Sequence, residues 1–498
     1  MEGQNNTENL KERTALGLFW AALGNGAQQV VAMLIGIALA RILNVEDYGL
    51  VAMLTVFSIL AANIQDSGFT SALAVKKDAT HEDFNAVFWF SVLTSSCIYI
   101  LLFFCAPLIA HFNHAPQLVN LGRVIFLGFF FSSFGTAQAA WLIRNLMMRE
   151  KTTSQVTASL CSGTIGIGCA LAGLGCWSLV AMDLSYKITY TLMVWYWSPW
   201  RPSLHIDLRP AWRMFGFGSR LLVTNMLNTI NGQFLQSILG HYYRPDQIGQ
   251  YSQANKWTTL ANSILVSMVN NVAQPVLAKV EDDEQRQTRV FRKLLRFTCF
   301  VSFPAMWGLA LIAPEFISLT IGDKWNPCVP YLIIIAFGGA FISVNGVFSN
   351  LMISCKHSDY YMYTTSAFLA VQLVLLFAFA GGESMLPLVA CIASLQPIWL
   401  FVLYFASRKL ISANLLQVLS DVVPFALAAG AAWIVGYACN RGVLVVLNHC
   451  ACSTIVQQLC TITAKFVGMA TAYIVLMWLF RVAVFRECVE FVKLKVKR

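Results

Sequence analysis

The chain is 498 residues long, 57% hydrophobic and 12% charged, with a mean hydropathy of +0.63. Soluble domains carry roughly 25% charged residues, so this composition excludes a water-soluble globular protein. The net charge of +10 does not signal nucleic acid, because the basic residues gather in short loops and in the tail from Arg481 to Arg498, where anionic lipid headgroups attract them.

A spanning helix needs roughly 20 mainly apolar residues. The sequence predicts fourteen such helices, at about 16–41, 47–66, 84–110, 119–143, 154–174, 177–198, 213–240, 248–274, 295–320, 328–350, 360–380, 385–406, 418–440 and 456–480. Gly, Pro, Asn and charges separate them, unlike the short alternating segments of a membrane barrel, so the expected fold is an all-α polytopic membrane protein. The first run follows Lys11 and Arg13 but is too long for a signal peptide and lacks a small-residue cleavage site; it is read as helix one. With the N-terminus in the cytoplasm, 25 Lys and Arg fall on the inner side and five outside (Arg41, Arg123, Arg244, Lys324, Arg441). The positive-inside bias therefore predicts cytoplasmic N- and C-termini and an even helix count.

Helix one carries a polar face of Asn25, Gln28, Gln29 and Gly36, within an arc of about 100°. Asp66 ends helix two near the cytoplasm, where a carboxylate either caps or gates. His111 and His114 have H-x-x-H spacing in an outer loop, but no third ligand accompanies them, so no metal site is expected and no cofactor is indicated. In helix six, Asp183 and Lys187 stand four residues apart, the spacing of a self-neutralising pair or of a coupling-ion site.

An offset of 200 residues lays helices one and two against helices seven and eight, pairing Asn25 with Asn225, Leu39 with Leu239 and Gly49 with Gly249. The polar face recurs in the same register as Asn225, Asn228, Thr229 and Gln236. The expected organisation is a six-helix bundle over 1–208, a second over 209–410, and two further helices with a basic cytoplasmic tail over 411–498. Parallel repeats with a substrate path between them are a common transporter plan.

Helix eight is the most informative segment. Lys256, Thr259, Ser263, Ser267, Asn270 and Gln274 share about 80° of arc over about 27 Å. Facing lipid, the stripe would leave polar groups unpartnered and a lysine costing roughly 2.5–3.5 kcal/mol. It faces either neighbouring helices, hydrogen-bonding to them, or a hydrated lumen. Arg220, with Asn225, Asn228, Asn231 and Gln236 nearby, enters the bilayer from the inner side, whereas Lys256 enters from the outer side. Two cations at different depths would pass a diphosphate across, the guanidinium bidentately and the ammonium as a point charge; alternatively Arg220 snorkels to the inner interface. Most of the fourteen cysteines fall in apolar spans as small buried residues. Cys450 and Cys452 stand in an outer loop, and C-x-C spacing leaves open whether they form a disulfide.

The stretches LARILNVEDYGLVAM (39–53), DSGFTSALAVKKDATHEDFNAVFWF (66–90), IGQYSQANK (248–256), QPVLAKVEDD (274–283) and APEFISLTIGDKW (313–325) resemble the O-antigen and capsule repeat-unit flippases of the multidrug/oligosaccharidyl-lipid/polysaccharide exporter superfamily. RNLMMREK (144–151) is similar to the basic segment after helix four in that family. The resemblance implies two six-helix bundles forming a V around a central cavity, with alternating access. It also implies an undecaprenyl-diphosphate-linked oligosaccharide as cargo, a bacterial inner-membrane location, and work alongside a polysaccharide polymerase and glycosyltransferases. A cation-coupled multidrug antiporter of the same superfamily is the nearest alternative; such exporters place a carboxylate in the first helix, where this chain has Asn25, Gln28 and Gln29. A membrane glycosyltransferase or polymerase would need converging acidic or Arg residues on a sizeable loop. The loops here are short, and no enzyme is expected.

Overall fold

The computed structural model describes residues 26–66, 73, 76, 79–211, 239–278, 280, 283–355, 357–379, 381–382, 384–447, 454–480 and 485–486. The chain divides into two compact units, Met1–Gly249 and Gln250–Arg498.

In the first unit, α1 (Gly26–Ile42) leads into α2 (Val45–Asp66). A capping box closes the start of α3 (His81–Phe112): the Thr80 hydroxyl accepts from the Asp83 amide while the Asp83 carboxylate accepts from the Thr80 amide, satisfying two amides that the first turn leaves free. Lys76 adds an ion pair to Asp83 at 2.6 Å. The fourth predicted span is not one straight helix. It is built from α4 (Leu118–Ile125), α5 (Leu127–Ser133) and α6 (Thr136–Arg144), with a bend of 43° before α6. At the bend the amides of Phe134 and Gly135 bond three residues back, to Phe131 and Ser132, and this tightening beside a glycine breaks the α ladder. Two long helices complete the unit, α7 (Met148–Leu171) and α8 (Trp177–Trp197).

Small residues let these helices approach closely. A methyl group on Gly163 would fall 2.2 Å from Ile35 of α1, and one on Gly166 would fall 2.9 Å from Met182 of α8, the close-packing device of membrane helices. After α8 the chain runs as a strap over residues 198–211 and is tied to the start of α3. The Asn85 side chain donates to the His205 carbonyl (2.6 Å) and accepts from the Ser203 amide (2.9 Å). Trp89 donates to the Ser203 carbonyl and Trp200 to His81 Nδ1.

The last helix to start in the first unit, α9 (Pro245–Ala278), continues into the second. There it is followed by α10 (Glu284–Thr320), a 3-10 turn at Asp323–Cys328, α11 (Val329–Ser354), α12 (Ser358–Phe379), α13 (Leu386–Ser407), α14 (Leu415–Leu447) and α15 (Thr454–Leu479). The core runs along α10, where Phe291, Leu295, Cys299, Phe303 and Met306 are fully buried together with Phe348 of α11.

Helices α14 and α15 belong to this unit and are held to α10 by buried charge. Asp421 of α14 accepts from Arg292 Nε at 2.6 Å and from its Nη2 at 3.1 Å, with Arg296 at 3.4 Å. Lys465 of α15 donates to both carboxylate oxygens of Glu315 at 2.7 Å and to the Leu311 carbonyl at 3.1 Å. Buried groups such as Asp421 and Lys465 require such partners.

Among the described residues, eight helices are long and apolar enough to cross a membrane, or nine if the bent pair is one span. The 24-, 21- and 34-residue helices α7, α8 and α9 are long enough but less apolar than that set. The predicted seventh span lies mostly outside the described residues.

Candidate functional site

The spanning helices present two kinds of outward surface. On α3 it is apolar: Leu101 is 60% exposed, Phe104 74% and Leu108 72%, a face suited to acyl chains. On α9 it is polar. Lys256, Thr259, Ser263, Ser267 and Asn270 are all exposed, while Trp257, Thr258, Asn262, Leu265, Ala273 and Leu277 on the other side of the same helix are buried.

From Lys256 to Asn270 the stripe rises about 21 Å. Of its members, Asn270 reaches another helix, accepting from Asn350 Nδ2 of α11 at 2.7 Å, and Ser263 bonds back to the Leu260 carbonyl at 2.8 Å. Lys256 has no ion pair among the described residues. Helix-to-helix hydrogen bonding therefore accounts for one end of the stripe; the rest looks onto open space. Exposed polar groups in hydrocarbon lack partners and a cation is costly there, a cost that a hydrated lumen would remove. Ile264 and Met268 are also exposed and flank the stripe on one side.

A second polar face lies within the first unit. Gln28 of α1 is half-buried and donates from Nε2 to Tyr186 Oη of α8 at 3.2 Å; Gln29 beside it is exposed. The Tyr186 and Tyr190 rings are parallel within 5°, with centroids 6.2 Å apart. On the same side of α8, Lys187 Nζ meets Asp183 Oδ2 at 2.6 Å. Lys187 lies over Gly128 of α5, where even a methyl group would fall 2.7 Å from its side chain. The two charges neutralise each other within one helix, as i,i+4 spacing allows.

Asn25, Arg220, Asn225, Asn228, Asn231 and Gln236 lie outside the described residues, as does the side chain of Gln274. Asp66 is the last residue of α2, its side chain likewise outside the described set. Cys450 and Cys452 also fall outside, and the described cysteines are free thiols. Among the described residues no cluster of His, Cys, Asp and Glu is arranged to hold a metal. His111 and His114 are 6.5 Å apart between ring centroids, and His114 stacks on His241 at 5.3 Å, which packs in turn on Phe112.

Sequence reasoning missed the two tyrosines, because aromatic residues are common in apolar spans and their spacing gave no polar signal. The ion pairs of Lys465 with Glu315 and of Arg292 with Asp421 were beyond its reach as well. The paired residues lie 150 and 129 residues apart, where helical periodicity does not extend. The second unit also carries an apolar groove of 690 Å³ between α14 and α15, lined by Val423, Leu427, Ala431, Leu476, Met477 and Phe480.

Residues 38–330 match the family described as "Polysaccharide biosynthesis protein". The lipopolysaccharide biosynthesis protein WzxC of Escherichia coli (strain K12) is 24% identical over 356 residues, 70% of this chain and 72% of that protein. The teichuronic acid biosynthesis protein TuaB of Bacillus subtilis (strain 168) is 24% identical over 341 residues, 66% of this chain and 68% of that protein. Among solved structures, the lipid II flippase MurJ in an inward closed conformation superposes with a TM-score of 0.72 at 13% identity, over 92% of this chain and 98% of that one. An inward-facing multidrug resistance MATE family transporter of the MOP superfamily superposes with a TM-score of 0.62 at 13% identity, over 77% of this chain and 94% of that one. At such identity the likeness establishes a shared all-helical membrane fold.

Proposed function

The chain belongs to the polysaccharide biosynthesis protein family, and on that premise we propose that it carries a lipid-linked oligosaccharide repeat unit, joined to undecaprenyl through a diphosphate, from the inner to the outer leaflet of a bacterial inner membrane. It is a polytopic membrane transport protein of polysaccharide biosynthesis rather than an enzyme. The observation that carries the reading is the exposed polar stripe of α9 headed by Lys256. A water-lined path of neutral donors and acceptors lowers the cost of moving a sugar through the bilayer. A lysine at its outer end attracts a diphosphate, and Arg220 would receive that group nearer the cytoplasm. The prenyl chain stays in apolar surroundings, and the groove between α14 and α15 suits it. Both termini are cytoplasmic, the two six-helix halves alternate in access, and the cargo comes from glycosyltransferases on the inner side and passes to a polymerase on the outer side.

Two measurements test this. Deletion of the protein should strand lipid-linked repeat units in the inner leaflet. Normal delivery to the outer leaflet, with unrelated drugs accumulating in the cell, would instead favour a multidrug antiporter. Arg220→Ala with Lys256→Ala should abolish surface polysaccharide while leaving protein abundance unchanged; full export by the double variant would end the diphosphate relay.

A further inference from the structure

We propose that Tyr186 and Tyr190 form a stacking platform for a pyranose ring of the cargo, with Gln28, Asp183 and Lys187 as the polar rim that receives its hydroxyls. This assignment rests on the transport reading above and names where the saccharide, rather than the diphosphate, is held.

Depth comes first. Helix α8 spans Trp177–Trp197, so Tyr186 and Tyr190 lie near its middle and hence near the centre of the bilayer. Both are half-buried, as are Gln28, Asp183 and Lys187. A phenol, an amide and an ion pair left partly open at that depth would be costly against hydrocarbon, so the face they share looks onto water. Geometry comes second. The two rings are parallel within 5° at 6.2 Å and one helical turn apart, so their faces share one orientation. The hydrogen bond from Gln28 Nε2 to Tyr186 Oη at 3.2 Å fixes the orientation of the first ring.

The chemistry selects the ligand. An aromatic face is negative and its edge positive, so it takes the C–H face of a pyranose, whose axial hydrogens carry partial positive charge. The hydroxyls then point outward in the ring plane and need donors and acceptors at the border of the platform. Gln28 keeps its amide oxygen, Asp183 a second carboxylate oxygen and Lys187 two further N–H hydrogens beyond the 2.6 Å ion pair, the capacities such hydroxyls require. The set is electrically neutral, so it gives no preference to a diphosphate; that preference belongs to Lys256 on α9, which has no ion pair among the described residues. An apolar drug would use the rings and leave the rim unmatched, and a lipid chain would gain little from either.

The test uses the full-length protein in nanodiscs and two probes, farnesyl diphosphate and farnesyl diphosphate carrying N-acetylglucosamine, with affinity read by titration calorimetry. The wild type should prefer the glycosylated probe. Tyr186→Leu and Tyr190→Leu should each reduce that preference about three- to tenfold while binding farnesyl diphosphate as the wild type does, which also certifies that they fold. Tyr190→Phe should retain the preference and Tyr190→Trp, with its wider face, should increase it. Lys256→Ala should weaken both probes equally. Leu variants that keep the full preference, or a wild type with none, would overturn the platform while leaving the transport reading intact. Should the Leu variants lose both probes through misfolding, the Trp variant decides: an unchanged preference would overturn the platform. Failure of the wild type to bind either probe would overturn the transport reading together with the platform.

Discussion

Gly49 of α2 lies against the carbonyl that opens α9, and Gly249 of α9 lies against the carbonyl that opens α2. A methyl group on Gly49 would fall 1.8 Å from Pro245 O, and one on Gly249 would fall 2.1 Å from Val45 O. The four residues are two pairs at the same offset of 200, 45 with 245 and 49 with 249, so the contact is reciprocal about a local two-fold. At both glycines the nearest neighbours are backbone atoms. Any side chain at either glycine must push a carbonyl away.

Gly49→Val and Gly249→Val should therefore each destabilise the protein by about 1–3 kcal/mol, read as a lower melting temperature of the purified protein. Since both break one crossing, the double variant should fall short of the sum of the two. Strict additivity would mean that the two contacts are independent.

Lys256 is exposed, so its truncation leaves no cavity in a packed core. Lys256→Ala should leave abundance and melting temperature within about 0.5 kcal/mol of the wild type yet lower surface polysaccharide at least about tenfold. Ser263→Leu, which places an apolar side chain in the middle of the stripe, should do the same through dewetting. Immunoblotting beside quantification of exported polysaccharide checks both, and normal export by either variant contradicts a hydrated path along α9.

The pair of Lys465 with Glu315 is 4% and 17% exposed. Glu315→Gln alone strands a buried ammonium and should cost about 3–5 kcal/mol, whereas Lys465→Met with Glu315→Gln should recover most of that loss. A thermal double-mutant cycle reads the coupling.

The strap after α8 hangs on Asn85, which serves as donor to one backbone group and acceptor from another. Asn85→Ala leaves the Ser203 amide and the His205 carbonyl without their partner and should cost about 1–3 kcal/mol. Faster limited proteolysis within 198–211 would be the accompanying sign, and an unchanged cleavage rate would show that Trp89 and Trp200 hold the strap without it.

Much of the fold was legible because the bilayer imposes a simple rule. Backbone groups must be satisfied within each segment, so every long apolar run is helical. The stripe of α9 was legible for the same reason: Lys256, Thr259, Ser263 and Ser267 recur at helical spacing, and a local period fixes which residues share a face. The bend before α6 escaped prediction because Phe130–Phe134 is as apolar as the helix around it. The tyrosine pair escaped because its parallel rings take their meaning from Gln28, 158 residues earlier.

By itself, the sequence determined that the protein lives in lipid, that its spans are helical, and that α9 has a polar face. These are consequences of composition and short-range periodicity. Only the tertiary structure decided that most of that face is uncovered rather than packed, that Asp421 and Lys465 are neutralised by α10, and that two glycines let the helix starts meet. Each of these depends on which distant helix lies alongside, and on whether space is left between them.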